Sequence, residues 1–162
     1  MEKDRLKFSI GRFDHYYDSI NNKSAVFLAL GTFLIGGLIT LYPLITPHLE
    51  CDSLFSVLVM LSISIGLTSM IIVMTAATPY LSDGIKSKFY FNSIASTSKQ
   101  VFDEESINLT EEDELSDLRS QVYAMAKGLK SKFQKIRIAG FLLIALFISL
   151  IPIVITISIN IK

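Results

Sequence analysis

The order of apolar and charged residues divides the chain into three long uncharged runs separated by charged or polar stretches. The uncharged runs are Ser24–Ile45, Ser53–Ser82 and Ile138–Ile161. An α-helix rises about 1.5 Å per residue, so roughly 20 residues cross the hydrocarbon core of a bilayer, and each run is long enough. The pattern therefore predicts three membrane-spanning helices. The second is expected to end before Pro79, because proline interrupts helical hydrogen bonding.

The composition of the chain agrees with this pattern. Of the 162 residues, 51% are hydrophobic and only 19% are charged, and the mean hydropathy is +0.50. These values are too apolar for a soluble domain of this length and favour a membrane protein. The formal net charge is zero, which gives no indication of a nucleic-acid partner, and we expect none.

Lysine and arginine residues are distributed unevenly around the three runs. Five precede the first run, none lies in the loop TPHLECDSL, nine lie between the second and third runs, and one, Lys162, follows the third. Basic residues near the ends of spans are retained on the cytoplasmic side. We therefore expect a multi-pass protein with a cytoplasmic N-terminus, a short outer hairpin and an outer C-terminus.

These boundaries define the predicted segments of the chain. They are a cytoplasmic amphipathic helix (1–23), transmembrane helix 1 (24–45), an outer loop (46–53), transmembrane helix 2 (54–77), a cytoplasmic sensing segment with a long helix (78–137) and transmembrane helix 3 (138–160). The single cysteine, Cys51, falls in the outer loop and has no partner for an intrachain disulfide. His15 and His48 fall on opposite sides of the bilayer, so no metal site is expected.

Apolar residues in the two charged stretches recur mostly at steps of three and four. This spacing is typical of one face of an amphipathic helix. Each stripe leads into a span, so we expect two helices that continue into the bilayer and bury their stripes against each other. The predicted fold is an all-α membrane protein with three transmembrane helices, the first and third extended into a cytoplasmic antiparallel helical stalk. The stripes are Leu6, Ile10, Phe13, Tyr17 and Ile20, and Leu115, Leu118, Val122, Met125, Leu129 and Ile136.

The second stalk helix is expected to begin near Glu111. Thr110 and Asp113 form a weakened version of a capping box, in which side chains bond to the free amides of the first helical turn. The acidic run Glu111–Glu114 also suits the positive N-terminal end of a helix. A further short helix is expected within Asp83–Asp103.

Three stretches of the chain carry a resemblance to a known family. They are DHYYDSINNKSAVFLALGTFLIGG, KFYFNSIAS and DLRSQVYAMAKGLKSKFQKIRIAG, the last of which is followed by an apolar run. Over nearly the whole chain they resemble the transmembrane effector family of Pycsar antiphage systems, the PycTM-like effectors. The positions that carry the resemblance are Lys23-Ser24-Ala25, Tyr90-Phe91, Gln121, Tyr123, Lys132 and Phe133.

The resemblance implies a membrane effector of antiviral defence in the bacterial inner (cell) membrane. It implies that a neighbouring cyclase makes a cyclic pyrimidine nucleotide, cyclic CMP (cCMP) or cyclic UMP (cUMP), during infection. The inner part of the effector is then expected to bind this second messenger, and the membrane part to impair the bilayer so that the cell dies by abortive infection. The lipid bilayer and the cyclic nucleotide are thus the implied partners, and no cofactor is expected.

A site for such a ligand needs a cation for the phosphate, a flat surface for the base and amide groups for its edge. Residues of these types on the predicted inner side are Arg12, Asn21, Asn22, Lys23, Phe91, Asn92, Gln121 and Lys132. Lys23 and Lys132 also lie near membrane ends, where retention of basic residues explains them without a ligand. For Asn21 and Asn22 both explanations stay open. Because SINNK and KSKFQK fall at the same height of the predicted stalk, we expect a polar pocket between them.

Other classes of function find little support in the sequence. No Asp, Glu, Lys, Arg or His lies within 24–45, 54–77 or 138–160, so proton relays and coupled transport have no ionisable groups to use. Neither a glycine-rich phosphate loop nor a paired Cys and His occurs, so we expect no enzymatic activity.

Small residues within the spans favour close approach of helices, and we expect a homo-oligomer. These residues are Gly36 and Thr40 in the first span, and Ser62, Gly66 and Ser69 in the second. They serve equally well to close a single protomer, and that alternative stays open. The alternative function is a non-enzymatic membrane anchor whose cytoplasmic stalk docks a partner protein.

Overall fold

The structure, a computed structural model, describes residues 1–49, 52–79 and 87–160. Cys51 lies outside these residues, as do Tyr80, Lys162 and the first part of the predicted helical region Asp83–Asp103. The elements in chain order are α1 (Glu2–Ile45), a single 3₁₀ turn (Thr46–His48), α2 (Asp52–Ala77), α3 (Phe91–Ala95), α4 (Lys99–Ile107) and α5 (Glu111–Asn160).

The predicted fold class is confirmed. About 91% of the described residues are helical, and no β-strand occurs among them. Three helices, α1, α2 and α5, are long and apolar enough to cross a membrane. The predicted long helices are also confirmed, because α1 and α5 each continue without interruption from a charged stretch into an apolar run.

The chain forms two compact units. One consists of Met1–Asp18 and Pro79–Ser131, and we call it the charged unit. The other consists of Ser19–Thr78 and Lys132–Lys162, and we call it the apolar unit. Both α1 and α5 contribute residues to each unit, whereas α2 belongs to the apolar unit alone.

The apolar unit packs parts of α1, α2 and α5 around a shared core. The ring of Tyr42 on α1 stacks on Phe55 of α2, with centroids 6.0 Å apart, and its hydroxyl lies 3.1 Å from that of Ser56. Buried leucine, valine and isoleucine side chains fill the remaining space, and the tight contacts among them supply the dispersion energy that holds helices together in lipid. The core members are Leu38, Leu49, Phe55, Val59, Leu143, Leu146 and Ile153.

The outer surface of the apolar unit is also apolar. Large hydrophobic side chains of all three helices point away from the core, and Phe33, for example, is 77% exposed. A water-soluble protein does not expose so many contiguous large apolar side chains, whereas hydrocarbon chains cover them without cost. Further examples are Val57, Ile71, Ile148, Ile151 and Val154.

Contacts within the apolar unit show that α2 and α5 run in opposite directions. Hydroxyl groups of Ser62 and Ser149 lie 2.8 Å apart, and the Ser69 hydroxyl donates to the carbonyl of Ala139 at 2.9 Å. Because residue numbers rise on α2 while they fall on α5, these two helices are antiparallel. In the same unit α1 also contacts α5, where the Nζ of Lys23 lies 6.0 Å from the ring centroid of Phe133.

The charged unit corrects one detail of the predicted stalk. The Nζ of Lys3 donates to Glu114, and the hydroxyl of Tyr17 donates to the Met125 carbonyl at 3.0 Å. Because residue numbers rise together on α1 and α5, the two helices are parallel in this unit, and the antiparallel prediction is wrong. The physical reason is topological: α2 returns the chain across the membrane, so the first and third spans must run in the same direction.

The apolar stripes of the two long helices face inward, as predicted. In the charged unit, Leu6 of α1 and Leu118 and Leu129 of α5 are buried. In the apolar unit, Ile20 and Ile136 are buried as well. Each Å² of apolar surface removed from water stabilises the folded state by about 25 cal/mol. An exposed stripe would forgo this stabilisation.

The start of α5 is also as predicted. The helix begins at Glu111, where the Thr110 hydroxyl accepts from the amide of Asp113 at 3.2 Å and donates to its carboxylate. The same carboxylate accepts from the Thr110 amide, which completes a reciprocal cap. At the start of α4, the Ser98 hydroxyl accepts from the Val101 amide in the same way.

The small residues of the second span close the protomer. Ser62 and Ser69 are buried between α2 and α5, and Gly66 lies against side chains of both α1 and α5. In contrast, Gly36 and Thr40 lie on the outer surface of α1. The open alternative is thus settled for α2 in favour of packing within one chain.

We predict that Gly66→Ala destabilises the apolar unit. A Cβ at this position would lie 2.9 Å from Ile35 Cγ1 and 3.1 Å from Leu146 Cδ2, so these two side chains would have to shift within the packed core. Gly36→Ala is the matched control, since it gains the same helix propensity and meets nothing within 4 Å. We expect the free energy of unfolding to be about 1–3 kcal/mol lower for Gly66→Ala than for Gly36→Ala in SDS titrations of the purified protein. Equal values for the two variants would contradict this packing.

Candidate functional site

The residues predicted to bind a ligand divide between the two units. The charged unit holds Arg12, Phe91, Asn92 and Gln121. The apolar unit holds Asn21, Asn22, Lys23 and Lys132. Each group is therefore described within its own unit.

Arg12 lies on the exposed surface of the charged unit. Its Nη2 donates to the hydroxyl of Tyr16 at 2.7 Å. The guanidinium also lies 5.7 Å from the Tyr16 ring centroid and 6.0 Å from that of Phe8, within range of cation–π attraction. These contacts hold the cation on α1 beside two aromatic rings.

Gln121 belongs to a hydrogen-bonded cluster around the buried Ser87, which is 3% exposed. Its Nε2 donates to the Ser87 Oγ at 2.9 Å, and that hydroxyl donates to Asp117 Oδ2 at 3.1 Å. The Ser87 Oγ also accepts from the amides of Phe89 and Tyr90, each at 3.1 Å. We call Ser87, Asp117 and Gln121 the Ser87 cluster, and it fastens the backbone before α3 to the long helix α5.

Phe91 and Asn92 begin α3, directly after the Ser87 cluster. Both side chains are exposed, and the Phe91 ring meets the Tyr90 ring edge-on, with centroids 5.0 Å apart. The Tyr90 hydroxyl is buried and has no hydrogen-bond partner among the described residues. The aromatic pair that carried part of the family resemblance is thus held in place by the backbone bonds of Tyr90 to Ser87.

A cavity of about 420 Å³ lies beside α3 and α4 in the charged unit. We call it the α3–α4 cavity. Its walls combine hydroxyl groups, one lysine, one glutamate and apolar side chains, and its volume lies in the range of small-molecule sites. The lining residues are Ser87, Lys88, Ser93, Ile94, Ser96, Thr97, Val101, Phe102, Glu105 and Ser106.

Asn21, Asn22 and Lys23 lie on one exposed stretch of α1 in the apolar unit. The buried positions around them are Ile20 and Ser24, and the Ser24 hydroxyl has no hydrogen-bond partner among the described residues. The amide side chains of both asparagines therefore point away from the helix packing. Their proposed contact with a ligand stays a prediction.

Lys132 is buried in the apolar unit, with 7% of its surface exposed. Its ammonium group donates to the carbonyls of Ala76 and Thr78, the latter at 2.6 Å, and Lys135 donates to the Thr75 carbonyl at 3.2 Å. These carbonyls end α2, where the helix has no further amides to bond and its dipole is negative. Two cations of α5 thus cap α2, a role that the basic spacing alone did not reveal.

Ion pairs join the N-terminal parts of α1 and α5 in the charged unit. Arg119 bonds to both carboxylate oxygens of Glu2, at 2.9 and 3.0 Å, while Lys3 and Lys7 contact Glu114. The bond from Arg119 holds the pKa of Glu2 below its usual range, and the bond from Lys3 does the same to the pKa of Glu114. The charged unit therefore gains more from these carboxylates when they are ionised.

The structure adds functional candidates that the sequence did not single out. Lys88 and Glu105 line the α3–α4 cavity, and Ser87 and Asp117 hold one of its walls. The serine-rich and threonine-rich composition of residues 87–106 was the available signal, but it is equally typical of a loop. Within the ranges 1–49, 52–79 and 87–160, no group of three or more His, Cys, Asp and Glu side chains could hold a metal ion.

The fold and its surfaces define a multi-pass membrane protein with a charged helical unit. The family profile of the Pycsar effector protein domain, PycTM, matches residues 5–160 of the chain. The chain therefore belongs to the Pycsar effector protein family, a family of antiphage defence. Searches of curated proteins and of solved structures found no match.

We predict that Lys132→Met destabilises the apolar unit, because it leaves the carbonyls of Ala76 and Thr78 without their buried donor. The expected loss is about 1–3 kcal/mol in the free energy of unfolding. Lys132→Arg keeps a cation and should recover part of this loss. Lys130→Met is the control, because it removes an exposed cation two positions away. If both methionine variants unfold alike, Lys132 does not act as a cap.

We predict that acid weakens the charged unit. Because the folded-state pKa values of Glu2 and Glu114 are lowered, their stabilisation is complete above the unfolded pKa of about 4.3 and is lost as pH falls through the folded values. The melting temperature, followed by circular dichroism, should therefore fall between about pH 5 and pH 2.

The same titration on Glu114→Gln provides the test. This variant should show a smaller acid-induced decrease in melting temperature, because the carboxylate that pairs with Lys3 is already neutral. Glu104→Gln, which changes an exposed side chain of α4, should keep the wild-type profile. A wild-type profile for Glu114→Gln would show that its ion pairs do not contribute.

Proposed function

We propose that this protein is a membrane effector of a Pycsar-like abortive-infection system, activated by a cyclic pyrimidine nucleotide, cCMP or cUMP, to impair the inner membrane and kill the cell. Membership of the Pycsar effector family supports the antiphage context of this proposal. The observation that carries it is the continuity of α1 and α5, each of which contributes residues to the charged unit and to the apolar unit.

Continuous helices provide a route from ligand to lipid. In this proposal, a displacement in the charged-unit part of α1 or α5 is transmitted along the hydrogen-bonded helix to its apolar-unit part. A ligand changes the membrane part only if it binds two arrangements of the protein with different affinity. In this proposal the nucleotide binds the charged unit and favours an arrangement in which the apolar units disturb the bilayer.

The charge pattern supports the proposed orientation. Basic residues are concentrated before the first span and between the second and third, so the charged unit faces the cytoplasm and the C-terminus lies outside. The cytoplasm is also where a cyclase would release its product. The protein then needs no catalytic machinery of its own, and we propose that it is not an enzyme.

Several copies are expected to act together. Gly36 and Thr40 lie on the outer surface of α1, where small side chains let the helices of two copies approach closely. Within one apolar unit, packed hydrophobic side chains of α1, α2 and α5 fill the core. We therefore propose that the lesion forms between or around homo-oligomeric copies.

We predict that the purified protein, reconstituted in lipid vesicles, releases an entrapped dye when cCMP or cUMP is added. Cyclic AMP at the same concentration is the ligand control, and vesicles without protein are the membrane control. A membrane anchor that docks a protein partner, the alternative function, should neither bind these nucleotides nor release dye. Absence of both responses would contradict the proposed function and favour the anchor.

A further inference from the structure

The α3–α4 cavity has one wall that is fixed to α5. Ser87 lines the cavity, and its hydroxyl is held by Asp117 and Gln121 of that helix. The Lys88 amide also donates to Asp117 Oδ2, at 2.8 Å. This wall is therefore set before any ligand arrives, which lowers the entropy that binding must overcome.

The cavity carries two opposite charges. Lys88 is partly buried and Glu105 is exposed at its edge. Neither side chain makes an ion pair within 4 Å in the part of the chain that the structure describes, and the charge of Lys88 also acts on the nearby carboxylate of Asp113. A cation and a carboxylate that line one cavity suit a ligand with an anionic group at one end and a hydrogen-bond donor at the other.

The hydroxyl groups of the cavity favour a ligand that donates hydrogen bonds. Ser96 and Thr97 both donate to the Ser93 carbonyl, at 2.8 and 3.0 Å, and Ser87 donates to Asp117. Because each hydroxyl has a single hydrogen, the lone pairs of Ser96 and Thr97 remain as acceptors. Together with Glu105 they make the lining rich in acceptors.

Apolar side chains complete the cavity. Phe102 supplies an aromatic ring, and Ile94 and Val101 supply aliphatic surface. A planar base can pack on such a surface whatever its hydrogen-bonding edge. The apolar wall therefore accepts any pyrimidine, and the polar groups of the cavity determine which pyrimidine binds more tightly.

We propose that the α3–α4 cavity is the nucleotide site and that it prefers a cyclic cytosine nucleotide to its uracil counterpart. This inference rests on the proposed function. Lys88 pairs with the cyclic phosphate, and Glu105 accepts from the exocyclic amine of cytosine. Uracil carries a carbonyl oxygen at that position, and this acceptor would face a carboxylate. The hydroxyl oxygens of Ser96 and Thr97 accept from the ribose.

Calorimetric titration of the full-length protein in detergent with cCMP and with cUMP tests the proposal. We expect the Kd for cCMP to be lower than that for cUMP by about fivefold or more. Glu105→Gln should reduce this ratio, because an amide can both donate and accept. Lys88→Met should weaken both nucleotides to a similar extent, because it removes the partner of the phosphate they share.

Matched control variants distinguish an effect of the cavity residues from a general effect of changing charge nearby. Glu104→Gln and Lys99→Met make the same changes on exposed positions of α4 that do not line the cavity, and both should bind like the wild type. Asn22→Ala and Lys23→Ala test the other proposed location and should also keep the wild-type Kd. Circular dichroism of each variant checks that the helices are intact.

The outcomes distinguish this inference from the proposed function. If the nucleotides bind but the Lys88 and Glu105 variants match the wild type, the cavity is not the site, while the effector function stands. Equal affinity for the two nucleotides, or tighter binding of cUMP, would overturn the cytosine preference. If the wild-type protein binds neither nucleotide, both the inference and the proposed function are wrong.

Discussion

The carbonyl groups at the end of α2 impose the constraint on which the apolar unit depends. Pro79 prevents the helix from continuing, so the last carbonyls have no amide partners within α2. Lys132 and Lys135 of α5 supply them at Thr75, Ala76 and Thr78. This contact ties the end of α2 to α5, and the serine bonds farther along the two helices continue the same interface.

Much of the fold could be predicted from the sequence, because the surrounding lipid or water determines where each apolar residue can lie. Apolar runs of sufficient length must cross the bilayer, and stripes at helical spacing must be covered, whatever their partner. Spacing carries no direction, however, and the stalk helices were wrongly predicted to be antiparallel. Counting the spans decides that point, since a single return helix leaves α1 and α5 pointing the same way.

The candidate site was harder to predict, because its chemistry depends on hydrogen-bond direction and on distant partners. The acceptors of Lys132 lie 54 and 56 residues away along the chain, and they are backbone carbonyls, which any residue possesses. Its basic side chain therefore resembled a phosphate ligand in the sequence. The α3–α4 cavity was missed for a similar reason, because a serine pattern does not indicate which hydroxyls line a cavity.

The Ser87 cluster gives a ligand in the α3–α4 cavity a mechanical connection to α5. Its hydrogen bonds join one cavity wall to Asp117 and Gln121, so a shift of that wall strains bonds to the long helix. A ligand can shift an equilibrium between two arrangements of the protein only by as much as its affinities for them differ. To reverse an equilibrium of 1:99, it must bind the favoured arrangement about 10⁴-fold more tightly. A small nucleotide can supply so large a preference only if the protein contacts most of the nucleotide's surface in one arrangement. In the other arrangement much of that contact must be lost. In the proposal, a cavity whose wall is bonded to α5 meets this requirement better than the convex helix surface at Asn21 and Asn22.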